Sequence, residues 1–214
     1  MESTWENYLN ELISSDCKHY LWLRSLSYLE YIGYRKMVKA VPYQAVEQGI
    51  FHHLSDEIEH SFLLKEQAEK SFPDQQLSIE SVEELMDIAE AYFQTLDKNI
   101  KSWVCQKLGK ESVFLCYLLV SYTTEKRAMS IYPQYYSRLT QSPLKIVIQK
   151  IIKDESEHLR YLENILQNIQ GEVIEAQFSP LEVEQKLFDS YLNNMKIFGE
   201  KLESKNEKIQ CLSN

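Results

Sequence analysis

The sequence predicts an all-α fold, and three of its features lead to that prediction. Apolar residues recur at the three- and four-residue spacing of amphipathic helices along most of the chain. Only 5 Gly and 5 Pro occur among 214 residues, too few turn residues for the many short strands of a sandwich or barrel. No stretch of useful length alternates apolar and polar residues as a half-buried strand does. Long helices are therefore expected.

The first two predicted helices are separated by a proline. Helical spacing runs from about Asp16 to Ala40 and stops at Val41, because a residue that precedes proline disfavours helical backbone. Pro42 itself fits the first turn of the second helix, which continues to about Lys70. These two helices are expected to form a hairpin.

Capping residues define the third and fourth predicted helices. The third follows an N-cap at Ser78 or Ser81, has acidic residues in its first turn, and ends near Gly109. The fourth starts near Glu111. It must kink or stop at Pro133, because proline lacks the N–H that a helix interior needs.

The last two predicted helices follow an ambiguous segment over residues 132–143. The fifth helix covers about 143–170, and the sixth begins near Ser179, where Ser and Pro form a standard cap and first turn. A single helical domain is expected over residues 1–205. The polar end of the chain, residues 206–214, is expected to be a disordered tail.

Charge and cysteine content argue against several classes of protein. The net charge of -9 repels a phosphate backbone, so nucleic acid is not an expected partner. The four cysteines form no C-x-x-C pair, which argues against a zinc knuckle or a rubredoxin-like iron site and favours reduced thiols. No apolar run approaches the ~20 residues that span a bilayer, and no signal peptide or membrane association is expected. The expected location is the cytoplasm.

Two five-residue segments nearly repeat each other. They read DEIEH from Asp56 to His60 and DESEH from Asp154 to His158. Glu and His three positions apart on a helix lie ~60° apart around the axis, so both side chains can reach one object. A single E-x-x-H motif is common by chance, but two in the same frame indicate a paired site. The residues concerned are Glu57, His60, Glu155 and His158.

Two other predicted helices each carry one acidic residue in an otherwise apolar stretch. Glu30 is the only acid within residues 17–46, and Glu125 is the only one within residues 112–153. A buried, unpaired carboxylate costs several kcal/mol, so each acid needs solvent or a cation. Counted at ~1.5 Å per residue from the predicted turns, each lone acid comes level with the neighbouring E-x-x-H motif. Four carboxylates gathered in a core without metal are expected to have raised pKa values.

This set of residues resembles the metal site of the ferritin-like carboxylate-bridged di-iron proteins. The resemblance covers roughly residues 17–170 and includes all six metal-ligand positions. It implies a four-helix bundle with a dinuclear metal site and about two additional helices. The E-x-x-H glutamates would bridge two metal ions, each histidine would bind one ion, and the lone acids would complete the sites. The implied ligands are Glu30, Glu57, His60, Glu125, Glu155 and His158.

The resemblance also implies a chemistry. Oxygen ligands with one imidazole per ion suit two iron ions, or iron and manganese. Such a centre would be an oxidoreductase that activates dioxygen or peroxide against a small, apolar organic substrate, with electrons from an external donor. Two alternatives are ferritin- or rubrerythrin-like iron oxidation or peroxide detoxification, and a non-catalytic helical binding module. A homodimer is a candidate assembly.

Two aspartates directly precede the bridging glutamates. In the resembled family such an aspartate commonly hydrogen-bonds the histidine of the opposite motif. The resemblance therefore implies hydrogen bonds between Asp56 and His158 and between Asp154 and His60. A carboxylate in that position would orient the imidazole and raise its basicity as a metal ligand.

Three further residues are candidates near the site. His53 lies one helical turn before Glu57 and is a candidate extra ligand or proton donor, although a partly buried histidine near the bundle end is the favoured alternative. Tyr34 and Tyr122 flank the lone acids and are candidates for hydrogen-bonding a ligand or supplying an electron. For both tyrosines the favoured alternative is core packing.

Overall fold

A computed structural model describes residues 4–41, 47–109, 112–140, 142–168 and 178–212, and over these residues the chain forms seven helices and no strand. The prediction of an all-α fold is confirmed for this part of the chain. The helices are α1 (Thr4–Ile13), α2 (Asp16–Ala40), α3 (Gln48–Ser71), α4 (Ile79–Leu108), α5 (Val113–Arg138), α6 (Ser142–Asn168) and α7 (Phe178–Leu212).

Helices α2, α3, α5 and α6 pack in a closed ring. Helix α2 contacts α3 and α5, and α6 contacts the same two helices from the other side. Helices α4 and α7 pack against each other and cover the face formed by α2 and α5, while α1 packs on α2, α5 and α7. We refer to α2, α3, α5 and α6 as the ring helices. Every residue implied as a metal ligand lies on one of them.

Side-chain caps set several helix boundaries where the sequence predicts them. The hydroxyl of Ser15 accepts from the backbone N–H of Lys18, and α2 accordingly begins at Asp16. The hydroxyl of Ser78 accepts from a backbone N–H in the first turn of α4. Gly109 follows α4 in the left-handed region, with φ of 65°, as a C-terminal glycine does. The predicted limits of α2 and α4 are thus confirmed.

Helix α1 is absent from the sequence-based prediction, which begins the first helix at Asp16. Its apolar side chains Trp5, Tyr8, Leu9 and Leu12 are buried at helical spacing. The Trp5 ring lies 5.4 Å from that of Trp22 on α2. Three helices therefore lie outside the ring, rather than about two.

Pro133 lies inside α5, which continues to Arg138. Of the two predicted alternatives at this proline, a kink or a stop, the stop is wrong. Tyr132 and Tyr135, on either side of the proline, are 2% and 0% exposed. Burial of these two rings offsets the ~3 kcal/mol that an interior proline costs a helix. The connection between α5 and α6 lies near Thr140, inside the segment 132–143 that is ambiguous in the sequence.

Other predicted boundaries are only partly covered by the structure. The expected helix start at Pro42 and the expected helix end at Gly171 lie outside the described residues. Helix α7 extends to Leu212 and so continues into segment 206–214. The disorder of that tail and the single-domain organisation stay predictions. Among the described helices, none has both the length and the apolar character required to cross a membrane.

Candidate metal centre

Carboxylate and imidazole side chains from the four ring helices meet inside the ring. They form two groups, and in each group one candidate ligand atom per residue lies within 4.8 Å of all the others. The two groups share Glu57 and are therefore adjacent. The first group consists of Glu30, Glu57, His60 and Glu155, and the second of His53, Glu57, Glu125 and His158.

Helical periodicity explains how four helices can supply all the side chains of the two groups. Helix α3 supplies His53, Glu57 and His60, which follow one another at four- and three-residue steps and so lie along one stripe of the helix. Helix α6 supplies a Glu and a His three residues apart, and α2 and α5 supply one carboxylate each. The structure thus brings together all six residues implied as ligands, and it adds a seventh, His53.

The carboxylate of Glu155 lies between two imidazoles. Its Oε1 is 3.1 Å from Nδ1 of His60, and its Oε2 is 3.4 Å from Nδ1 of His158. One oxygen therefore faces each histidine. A carboxylate in this position can bind one metal ion through each oxygen, as the resemblance implies for Glu155.

Both aspartate hydrogen bonds implied by the resemblance are present. Nε2 of His60 donates to Asp154 at 3.1 Å, and Nε2 of His158 donates to Asp56 at 3.0 Å. Because an ionised carboxylate can only accept, each Nε2 carries a hydrogen. In the neutral tautomer Nδ1 then has a free lone pair directed at the carboxylates, as a metal-binding imidazole requires.

Nδ1 of His60 is a buried polar atom without a hydrogen bond. It lies 3.1 Å from Oε1 of Glu155, but the contact does not have hydrogen-bond geometry. A buried nitrogen without a partner is costly and therefore rare. A metal ion bound by both atoms would satisfy it, so the residues present fit a metal site.

His53 is part of the second group. It is 2% exposed, and its Nε2 lies 3.0 Å from Oε1 of Glu57 and 2.9 Å from Oε1 of Glu125. Its ring stacks on that of His158 with 4.0 Å between centroids. His53 is therefore fully buried rather than partly buried, and its role as an extra ligand or proton donor stays a prediction. The ring nitrogen of His53 that faces away from the carboxylates, Nδ1, is buried without a hydrogen-bond partner. The corresponding outward nitrogen of His60 and of His158, Nε2, is bonded to an aspartate.

The carboxylates of the metal-free centre do not titrate alike. Burial, followed by the charges of Glu57 and Glu155, raises the pKa of Glu30 well above its ordinary value. Burial, followed by the charge of Glu155, likewise raises the pKa of Glu125. Burial also acts to raise the pKa of Glu155, but the Glu125 carboxyl and the two nearby imidazoles outweigh it and hold this pKa well below its ordinary value. The expectation of a raised pKa for all four carboxylates is wrong for Glu155.

The two E-x-x-H histidines hold protons in the absence of metal. Burial acts to lower the pKa of His60, but the surrounding carboxylates, Glu155 first, outweigh it and raise this pKa to about 10. The same balance raises the pKa of His158 to about 9. Protonated imidazoles therefore take the place of metal charge beside the buried carboxylates.

We expect metal binding to release protons and to strengthen as the pH rises. With pKa values of about 10 and about 9, both imidazoles are protonated at neutral pH and must lose a proton to become ligands. Release of about two protons corresponds to an increase of about 100-fold in Mn²⁺ affinity per pH unit near neutrality. Calorimetric titration in buffers of different ionisation enthalpy counts these protons. An affinity independent of pH would contradict this charge state.

The tyrosine that contacts the centre is not one of those singled out from the sequence. The hydroxyl of Tyr132 donates to Oε1 of Glu30 at 2.8 Å. Tyr122 is buried with the ammonium of Lys126 over its ring at 5.3 Å, and Tyr34 is half-buried. Tyr132 lies two helical turns after Glu125 on α5, and this spacing could have identified it. A role of Tyr34 or Tyr122 in electron transfer stays a prediction.

Gly33 leaves little space beside the shared carboxylate. A Cβ added at Gly33 would lie 3.1 Å from Oε2 of Glu57. We expect Gly33→Ala to weaken metal binding about tenfold, because the Glu57 carboxylate must shift.

The matched control is Gly199→Ala on α7, whose Cβ would lie 3.1 Å from Cγ of Lys18, outside both groups. Alanine favours helix by ~1 kcal/mol over glycine, so neither variant should lower the melting temperature. Equal Mn²⁺ affinity in the two variants would contradict the expectation.

A cavity of about 80 Å³ adjoins both groups. Four carboxylates line it, namely Glu30, Glu57, Glu125 and Glu155. Aromatic side chains form much of the remaining wall: Trp22, Tyr92, Phe93, Tyr132, Phe188 and Tyr191. Since a water molecule occupies about 30 Å³ of the liquid, the cavity has room for a molecule of about two or three heavy atoms. Small ligands can therefore reach both groups in a largely aromatic environment.

Comparisons with protein-family models, with curated proteins and with solved structures found no match to this chain.

Proposed function

We propose that this protein is a ferritin-like dinuclear-metal oxidoreductase that activates dioxygen or peroxide against a small, mostly apolar organic substrate. The observation that carries the proposal is the pair of adjacent His and Glu groups, which share Glu57 within one ring of four helices. The buried Nδ1 of His60, which makes no hydrogen bond, also supports metal binding.

The donor atoms suit two iron ions, or iron and manganese. The first group offers three carboxylates and one imidazole, and the second offers two carboxylates and two imidazoles, with Glu57 in both. Carboxylate and imidazole ligands without thiolate favour iron and manganese over copper or zinc. When bound, such ions supply the redox chemistry, with electrons from an external donor. The second imidazole makes the two positions unequal in ligand type.

Charge balance also supports occupancy by two divalent ions. The two groups contain four carboxylates, Glu30, Glu57, Glu125 and Glu155, and three of these belong to residues at most 5% exposed. Two divalent cations match four carboxylate charges, whereas the same carboxylates without cations repel one another at low dielectric.

The residues of the chain position and protect the centre. Asp56 and Asp154 orient His158 and His60 through their Nε2 atoms. The hydroxyl of Tyr132 holds Glu30 and is one hydrogen bond away from the carboxylates, where it can hold or pass a proton. The candidate ligands other than Glu30 are buried, namely His53, Glu57, His60, Glu125, Glu155 and His158. Their burial excludes bulk water, which strengthens the electrostatic interactions among them.

Iron storage is the less favoured use of such a centre. A cavity of about 270 Å³ reaches His53, Glu57 and Glu125 and has a largely apolar wall. A binding space of this size and character suits an organic molecule, whereas transit of iron ions requires a polar path. This cavity favours substrate oxidation over storage.

The proposal is tested by metal analysis and an optical spectrum. Protein expressed in iron-supplemented medium should contain about two metal ions per chain, and adding oxygen to the reduced form should produce a new absorption band. One ion or none, without an oxygen-dependent band, would contradict the proposal and favour a non-catalytic helical module. A large hollow oligomer that accumulates iron would contradict it in favour of storage.

A further inference from the structure

Two cavities adjoin the centre, and they differ in what they contact. The cavity of about 80 Å³, here called the small cavity, reaches all four carboxylates of the two ligand groups. The cavity of about 270 Å³, here called the large cavity, reaches Glu57, Glu125 and His53. The two spaces meet at the residues that both linings share, namely Gly33, Glu57, Phe93, Thr124 and Glu125.

The small cavity lies inside the protein. Every described residue of its lining is buried or half-buried, and none is exposed. Helices α4 and α7 supply much of its aromatic wall, with Tyr92, Phe93, Phe188 and Tyr191. Because there is room for about two or three heavy atoms, most organic molecules are too large for this space.

The polar side chains in the wall of the small cavity already have partners. Apart from the carboxylates, these side chains are hydroxyls and one guanidinium group, and each takes part in a hydrogen bond: Tyr92, Thr124, Arg127, Tyr132 and Tyr191. The indole N–H of Trp22 has no hydrogen bond, but a trapped polar molecule needs two to four polar partners. With metal ions on the carboxylates, the small cavity therefore favours an apolar molecule.

We propose that the small cavity binds dioxygen, while the large cavity binds the organic substrate. This inference rests on the proposed function and selects dioxygen rather than peroxide as its oxidant. Dioxygen is small and apolar and forms only weak hydrogen bonds, so it loses little when it leaves water for an aromatic cavity. Hydrogen peroxide is a donor at both ends and would give up its hydrogen bonds to water without replacement.

Xenon tests the apolar character of the small cavity without any redox chemistry. It is an apolar atom that enters dry, apolar cavities in proteins. Crystals of the Mn²⁺-loaded protein are pressurised with xenon, and the anomalous signal of xenon locates its binding sites. We expect a xenon site in the small cavity. Ordered water in the small cavity, with no xenon site there, would overturn the inference.

The substitution Ala128→Leu is expected to fill the small cavity. Ala128 lines the small cavity but does not line the large one. In this variant the xenon site should disappear. The reaction of the reduced, iron-loaded protein with dioxygen should slow about tenfold, because entry then requires side chains to move. The reaction with hydrogen peroxide should change by less than about twofold, since peroxide is not expected to use this space.

The matched control is Ala91→Leu, an exposed position on α4 outside the lining of both cavities. Its xenon site and both reaction rates should equal those of the unsubstituted protein. Both variants should keep the Mn²⁺ affinity and the melting temperature of the unsubstituted protein. An equal slowing of the dioxygen and peroxide reactions in Ala128→Leu would overturn the assignment of this space to dioxygen.

Failure of this inference and failure of the proposed function give different results. A protein that shows the oxygen-dependent band, but has water in place of xenon or an unchanged dioxygen rate in Ala128→Leu, would keep the proposed function and lose this inference. A xenon site in a protein without the oxygen-dependent band would show an apolar cavity, but would remove the proposed function and dioxygen as the ligand with it.

Discussion

Replacement of Glu57 by glutamine is expected to abolish tight binding at both metal positions. Glu57 is the only residue that belongs to both ligand groups, so its loss affects each of them. Loss of an outer hydrogen-bond partner of a metal ligand typically costs 10- to 100-fold in affinity. Loss of a shared ligand should therefore weaken Mn²⁺ binding by more than about 100-fold.

The fold should survive this substitution. Glutamine has almost the shape of glutamate, and the change removes one of several mutually repelling carboxylates from the metal-free core. The melting temperature of the metal-free variant should equal or exceed that of the unsubstituted protein. At free Mn²⁺ of about 100 times Kd, each occupied site should add ~2.7 kcal/mol to the free energy of unfolding of the unsubstituted protein. Glu57→Gln should show almost no such increase in its free energy of unfolding when Mn²⁺ is added.

Glu59 provides the matched control. It lies two residues away on the same helix, is exposed, and pairs with Lys150 at 3.2 Å. Glu59→Gln should therefore bind two metal ions with unchanged affinity. If Glu57→Gln retained two tightly bound ions, Glu57 would not be a shared ligand.

Replacement of Asp56 or Asp154 by alanine is expected to weaken metal binding by about 10- to 100-fold. Each carboxylate accepts from Nε2 of one histidine and so orients that ring, with His158 paired to Asp56 and His60 to Asp154. Without this acceptor the imidazole can rotate or place its proton on the nitrogen that should bind metal. The helical content should remain unchanged.

Asparagine at the same positions separates orientation from charge. Asp154→Asn keeps an acceptor oxygen for Nε2 of His60 and should recover part of the lost affinity. Glu157→Gln, an exposed position on the same helix as Asp154, is the control for loss of negative charge. Unchanged Mn²⁺ affinity in both alanine variants would show that these aspartates do not support the histidines, while the remaining ligands could still form the centre.

The sequence predicts most of the long helices because their signals are local. Caps, prolines and helical spacing identify α2 and α4 to within about a residue, since each signal acts over one or two turns. Helix α1 is short, and its stability depends on contacts such as that of Trp5 with Trp22, which local sequence does not reveal. The continuation of α5 through Pro133 likewise depends on burial of the adjacent tyrosines.

The candidate ligands are visible in the sequence to a similar extent. The repeated E-x-x-H motifs and the isolated acids Glu30 and Glu125 mark positions from which a shared partner is predicted. The role of His53 could not be decided, because helical spacing places it on the correct face without showing how α5 approaches α3.

We expect one ring of four helices to hold two metal ions between the two ligand groups. Anomalous diffraction from crystals soaked with Mn²⁺ tests this expectation most directly. Two anomalous peaks should lie about 3.5–4 Å apart, one beside His60 and one beside His53 and His158, with Glu57 and Glu155 contacting both. A single peak, or peaks elsewhere on the protein with this cluster vacant, would show that the four helices do not hold a dinuclear centre.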